Sequence, residues 1–223
     1  MKNTNCRPLL LAICGIAALF PLTPVRADRP DGKVKAILCP ASASKPELLA
    51  AKEIRRYVYL RTGSLLSISQ SDKVPQGSSK YIVVGRNDRA IVKDALSGTK
   101  HLSASNSLKP EEYLLASTQK GSRSLTVVTG GDSFGTLYAA YGFCEKLGVR
   151  FYLHGDSIPD APFTDWTAIE RLNESQKPHF KIRGLNPWGS HPQGIDIWRV
   201  DDWKSVISQL AKLKMNFVGI HGY

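Results

Sequence analysis

The chain has 223 residues, a formal net charge of +11 at pH 7 and four cysteines. Its basic residues are scattered (Lys33, Lys35, Lys52, Arg55, Arg56, Arg61) with no long run of one sign, so the charge reads as a solvated surface and no nucleic-acid partner is expected. No C-x-x-C or Cys/His cluster occurs, which leaves no case for zinc, and no other cofactor is expected.

In chain order, residues 1–27 read as a cleavable signal peptide. Lys2 and Arg7 give a positive start, Pro8 to Leu22 is largely apolar, and Val25-Arg26-Ala27 ends in small residues suited to cleavage before Asp28. Pro21 and Pro24 interrupt the apolar run, so no stable membrane span is expected after cleavage, and the mature protein is expected to be secreted or periplasmic. Cys6 and Cys14 leave with this segment. Cys39 and Cys144 remain; they read as buried free thiols, with a disulfide as the alternative in an oxidising compartment.

Val34–Cys39 reads as a strand. Lys45–Arg61 reads as a helix, with Pro46 in its first turn, apolar residues at helical spacing and Gly63 as its stop. Leu65–Ser69 and Tyr81–Gly85 are further strands, Asp88–Leu96 a short helix capped by Asp88, and Ser97–Pro110 a polar loop. Glu112–Ala116 and Leu125–Thr129 form a hairpin around Gly121. Gly130-Gly131 opens a helix capped by Asp132 or Ser133 and running to Leu147; the glycines read as turn geometry rather than a phosphate cradle. Arg150–Leu153 is a strand. The order gives an α+β fold, a mixed sheet with two main helices on one face, over residues 28–155. A linker follows at 156–177. From Pro178 the chain reads as a strand (Phe180–Leu185), a helix (Asp201–Leu213) and a strand (Asn216–His221), the first β-α-β of an incomplete (β/α)8 barrel over 178–223.

Two segments carry a resemblance. Gly130–Tyr152, with Leu147-Gly148-Val149-Arg150-Phe151-Tyr152 and then Ser157-Ile158-Pro159, resembles the small domain that precedes the barrel in family 20 beta-hexosaminidases and in alpha-glucuronidases. Pro178-His179-Phe180-Lys181-Ile182-Arg183-Gly184 is similar to the segment that opens the barrel in those hydrolases, and Ala211-Lys212-Leu213-Lys214-Met215-Asn216 to the end of their first barrel helix. His221 follows Asn216 as the second histidine of their motif does. Leu185-Asn186-Pro187-Trp188 stands where hexosaminidases carry an aspartate, and Gly219 replaces the first histidine, which points to a divergent relative acting on another glycan.

The resemblance implies a secreted glycoside hydrolase acting on terminal sugars, with a carbohydrate as its partner. Arg183 is expected at the C-terminal end of the first barrel strand, the face where barrel sites lie, holding the sugar's hydroxyls or carboxylate. Trp188 is expected to stack on the sugar ring and His221 to hydrogen-bond from the same rim. His191, Asp196 and Trp198 are secondary candidates. No catalytic residue is assigned. Asp201 and Asp202 read as helix caps, and the carboxylates that glycoside hydrolysis needs are expected on later strands, so this polypeptide is expected to be inactive by itself. The rival reading is a non-catalytic glycan-binding or interaction module with a vestigial barrel segment.

Overall fold

Strands β1 (Val34–Cys39), β2 (Ser67–Gln70), β3 (Lys80–Arg86), β4 (Tyr113–Lys120), β5 (Arg123–Gly130) and β8 (Asn173–Gln176) form one sheet in the order β2-β1-β3-β5-β4-β8. The computed structural model describes residues 34–167, 169–186 and 197–219, which belong to one compact unit. Residues 1–27, expected from the sequence to be a signal peptide, lie outside the described residues. Neighbours from β2 to β5 are parallel; β4 and β8 add on antiparallel.

The central strands carry apolar residues on both faces, the pattern of a sheet covered on both sides. Ile37, Cys39, Ile82, Val84 and Val128 pack under helices α1 (Lys45–Thr62) and α4 (Ser133–Lys146). Leu38, Tyr81, Val83, Leu125 and Val127 pack under α2 (Ala90–Leu96). Leu114 and Ala116 meet Leu108 beside α3 (His101–Asn106). The fold is therefore a mixed α/β sandwich. Helices α1 and α4 do share one face, but the opposite face is also covered, which corrects the expectation of an α+β sheet with helices on one side only.

Other boundaries differ too. The stretch 97–110 holds α3, which the polar sequence hid. Ala90 opens α2, and Asp88 pairs with Arg86 instead of capping it. Within the stretch read as a linker, β7 (Gly155–Ser157) pairs with β6 (Arg150–Tyr152), and β8 extends the main sheet along β4. Cys39 and Cys144 are buried free thiols.

The terminal segment forms two short parallel strands, β9 (Gly184–Leu185) and β10 (Phe217–Val218), joined through α5 (Val200–Lys212). Gly184 is required here by space: a Cβ would stand 1.8 Å from the Phe217 carbonyl oxygen. Leu210 of α5 is buried, and Tyr138 of α4 donates its hydroxyl to the Met215 carbonyl at 3.2 Å, fastening this unit to the sheet layer. Among the described residues no helix is long and apolar enough to cross a membrane.

Candidate functional site

Arg183 immediately precedes β9, and Asn216 immediately precedes β10, with Lys214 two residues before Asn216. The parallel pairing of those strands brings all three together. Across from them, Glu111 sits in the turn before β4. Its backbone N–H donates to Asp132 Oδ1 at 3.1 Å, and the same oxygen caps α4 by accepting from Gly135 at 2.6 Å. The hairpin and the helix start thus hold the Glu111 turn from two sides.

The guanidinium of Arg183 is held by three hydrogen bonds. Nη2 donates to Glu111 Oε2 at 2.7 Å, Nε to the Lys214 carbonyl at 2.9 Å and Nη1 to the Phe180 carbonyl at 2.8 Å. Asn216 completes the knot: its Nδ2 donates to Glu111 Oε1 at 2.9 Å and to the Lys181 carbonyl at 2.9 Å, while its Oδ1 accepts from the Arg183 backbone at 2.9 Å. Glu111 (φ 65) and Lys214 (φ 60) are the two non-glycine residues with positive φ among the described residues. That conformation costs about 1–2 kcal/mol for an L-residue, so both are held in place by the surrounding contacts.

A cleft of about 450 Å³ opens beside this knot, lined by Glu111, Tyr138, Glu145, His179, Phe180 and Arg183 among others. Its size is that of a small-molecule site. Burial, and after it the Glu111 charge, pushes the Tyr138 phenol up, so it stays a neutral donor. The Arg183 carbon Cζ lies 5.9 Å from the Tyr138 ring centre. Lys214 Nζ pairs with Glu145 at 2.9 Å. Arginine has five N–H donors; three are engaged by Glu111, Lys214 and Phe180, and the Tyr138 hydroxyl is a further partner of the guanidinium at the cleft wall. Paired carboxylates, aromatic faces and a guanidinium in the cleft wall suit a polyhydroxylated ligand. Both cleft carboxylates are paired with cations.

Arg183 therefore lies at the start of its strand, whereas the sequence reading expected it at the C-terminal end. Trp188, His221, His191 and Asp196 lie outside the described residues. Trp198 packs edge-on against Trp203, with centres 5.0 Å apart. Asp202 accepts from the Arg199 backbone at 2.8 Å and Asp201 stands in the first turn of α5, the capping role expected of them. Gly131 is a matter of space: a Cβ there would stand 2.0 Å from the Lys109 carbonyl oxygen. Sequence reading gave no role to Glu111, Tyr138 or Asn216. Asn216 carried a signal, as the end of a quoted motif. Glu111 carried none, because it lies 72 positions from its arginine in a polar turn.

No family model matches the chain, and no curated protein matches it. Among solved structures it is similar in fold to a family GH115 4-O-methyl-alpha-glucuronidase described as having specificity for decorated arabinogalactans, with a TM-score of 0.55 and 16% identity. The match covers 86% of this chain and 26% of that one, so the chain spans about a quarter of its length. The glycoside-hydrolase-like fold expected from the sequence is present; this neighbour belongs to family GH115 and gives no support to family 20 in particular.

Proposed function

We propose that this chain is the N-terminal part of an exported glycoside hydrolase that acts on a terminal sugar of a glycan. The observation that carries the reading is the fold shared over 86% of the chain with a glycosidase. In this reading the sheet layer is a support domain, and β9-α5-β10 opens a catalytic barrel. Arg183 holds the sugar through its guanidinium, and the reading gives Trp188 and His221 sugar-binding roles as well. The acid and nucleophile or base belong to other strands, and this portion alone binds sugar without cleaving it. The partner is a carbohydrate.

The rival, a non-catalytic glycan-binding module, draws on the ion pairing of Glu111 and Glu145, the acidic residues that line the cleft among the described residues. One experiment tests the proposal. The mature chain and Arg183→Ala are titrated with glucuronic acid, galactose and N-acetylglucosamine by saturation-transfer NMR and assayed on 4-nitrophenyl glycosides. Expected are saturable binding of one sugar, an affinity about tenfold lower in Arg183→Ala, and no turnover. Turnover lost in Arg183→Ala would overturn the inactivity; no sugar binding at all would overturn the reading.

A further inference from the structure

We infer that Glu111, a residue of the sheet layer, is a positioning residue for the sugar site: it fixes the Arg183 guanidinium at the wall of the cleft. The inference rests on the reading of that cleft as a sugar site, and it assigns the support domain a direct part in ligand recognition.

Three independent observations converge. The first is chemical. Both Glu111 carboxylate oxygens are engaged by the terminal unit, Oε2 by Arg183 at 2.7 Å and Oε1 by Asn216 at 2.9 Å, with Asn216 also 3.1 Å from Oε2. A guanidinium anchored at Nη2, Nε and Nη1 cannot rotate about its long stem. Arginine otherwise loses much rotamer freedom on binding a ligand, so pre-ordering raises affinity. The second is conformational. The two positive-φ non-glycine residues among those described, Glu111 and Lys214, each supply an acceptor to Arg183. Backbone strain concentrated on the partners of one side chain marks a place where geometry is held for function. The third is mechanical. The Glu111 turn is braced by Asp132 Oδ1 on its own N–H, by the Gly131 N–H donating to the Glu112 carbonyl at 2.9 Å, and by Glu112 accepting from the Lys109 N–H at 3.0 Å. A surface ion pair needs no such support.

The test uses the full mature chain, the same three sugars and four proteins: wild type, Glu111→Gln, Arg183→Ala and the exchanged pair Glu111→Arg/Arg183→Glu. Glu111→Gln is expected to bind the sugar about tenfold more weakly, to melt close to wild type, and to show faster solvent exchange at the Arg183 Nε–H in nitrogen-resolved NMR. The exchanged pair lacks the donors that Arg183 gives to the Lys214 and Phe180 carbonyls, so it is expected to bind no better than Arg183→Ala. If Arg183→Ala loses affinity while Glu111→Gln binds as wild type, this inference falls and the sugar site stands. If Arg183→Ala binds as wild type, the sugar site falls and the inference with it. Recovery of affinity in the exchanged pair would also overturn it, because a role met by either orientation is structural.

Discussion

Glu47 shows how one side chain closes a place where open parallel sheets commonly take ligands, the crevice beyond the strand ends. It stands in the first turn of α1, fully buried. Its carboxylate accepts from the Ser44 N–H at 2.7 Å, the Arg86 N–H at 3.0 Å, and Arg89 through Nε at 2.9 Å and Nη2 at 2.6 Å. The protein's own anion thus occupies the position an external one would seek. Burial pushes the Glu47 pKa up, but the Arg89 fork and the backbone donors outweigh it and bring it down to about 2. A carboxyl with a folded pKa below its unfolded one, 4.5, adds stability above pH 4.5 and loses it as pH falls toward 2. Glu47→Gln is expected to cost about 3 kcal/mol at pH 7. In urea titrations from pH 7 to pH 2 the gap between variant and wild type should shrink steadily below pH 4.5; a gap independent of pH would show that the charge of Glu47 contributes nothing.

At the scale of elements, the terminal β-α-β unit docks on the sheet layer through ion pairs that all run one way. Lys212, Lys214 and Arg183 supply the cations; Asp156, Glu145 and Glu111 supply the anions. The Lys212–Asp156 pair is the most enclosed, with side chains 8% and 11% exposed, and the Tyr57 hydroxyl also donates to Asp156 at 2.5 Å. Burial raises the Asp156 pKa, and the Lys212 and Tyr57 hydrogen bonds more than offset that. A double-mutant cycle of Lys212→Ala and Asp156→Ala is expected to give a coupling of about 2 kcal/mol that persists in 0.5 M salt; a coupling near zero would mean that apolar contacts alone seat α5. This docking was illegible in the sequence, because each pair joins residues more than fifty positions apart. What was legible is what depends on neighbours. Helix α1 was read from its periodicity, Pro46 and Gly63, and the β4-β5 hairpin from its alternation about Gly121. The α3 helix, six residues long with Leu102 and Ala104 its only apolar ones, is instead stabilised from outside, as where Asn87 donates to the Ser105 carbonyl at 2.8 Å. Strand β8 (N-E-S-Q) carries no apolar signal and is recruited by backbone pairing with β4. The double-sided cover of the sheet was there to be read: Ala36–Cys39 and Tyr81–Val84 are continuous apolar runs, the mark of strands buried on both faces.

At the scale of the whole molecule, the two parts differ in how completely they bury their apolar residues. The sheet layer encloses its own core on both faces. The terminal unit leaves Phe180 73%, Ile182 68% and Val200 68% exposed, with Ile207 and Phe217 also open to solvent. The sheet layer also exposes Leu65 (71%) and Phe134 (56%), so the difference is one of density: six exposed large apolar residues in the short terminal unit against seven in the much longer sheet layer. The sheet layer should therefore fold without it. A chain ending at Lys177 retains all six strands of the main sheet and both large core clusters, and loses the three ion pairs and the Leu210 contact. We expect it to melt cooperatively, with stability lower by about 2 kcal/mol and Tm lower by about 4–8 °C. It should also bind less of a hydrophobic dye such as ANS than the longer chain, because six exposed large apolar residues go with the deleted unit. A non-cooperative melt would show that the sheet layer depends on β9-α5-β10 for its own core, and dye binding equal to that of the longer chain would place the open apolar surface elsewhere.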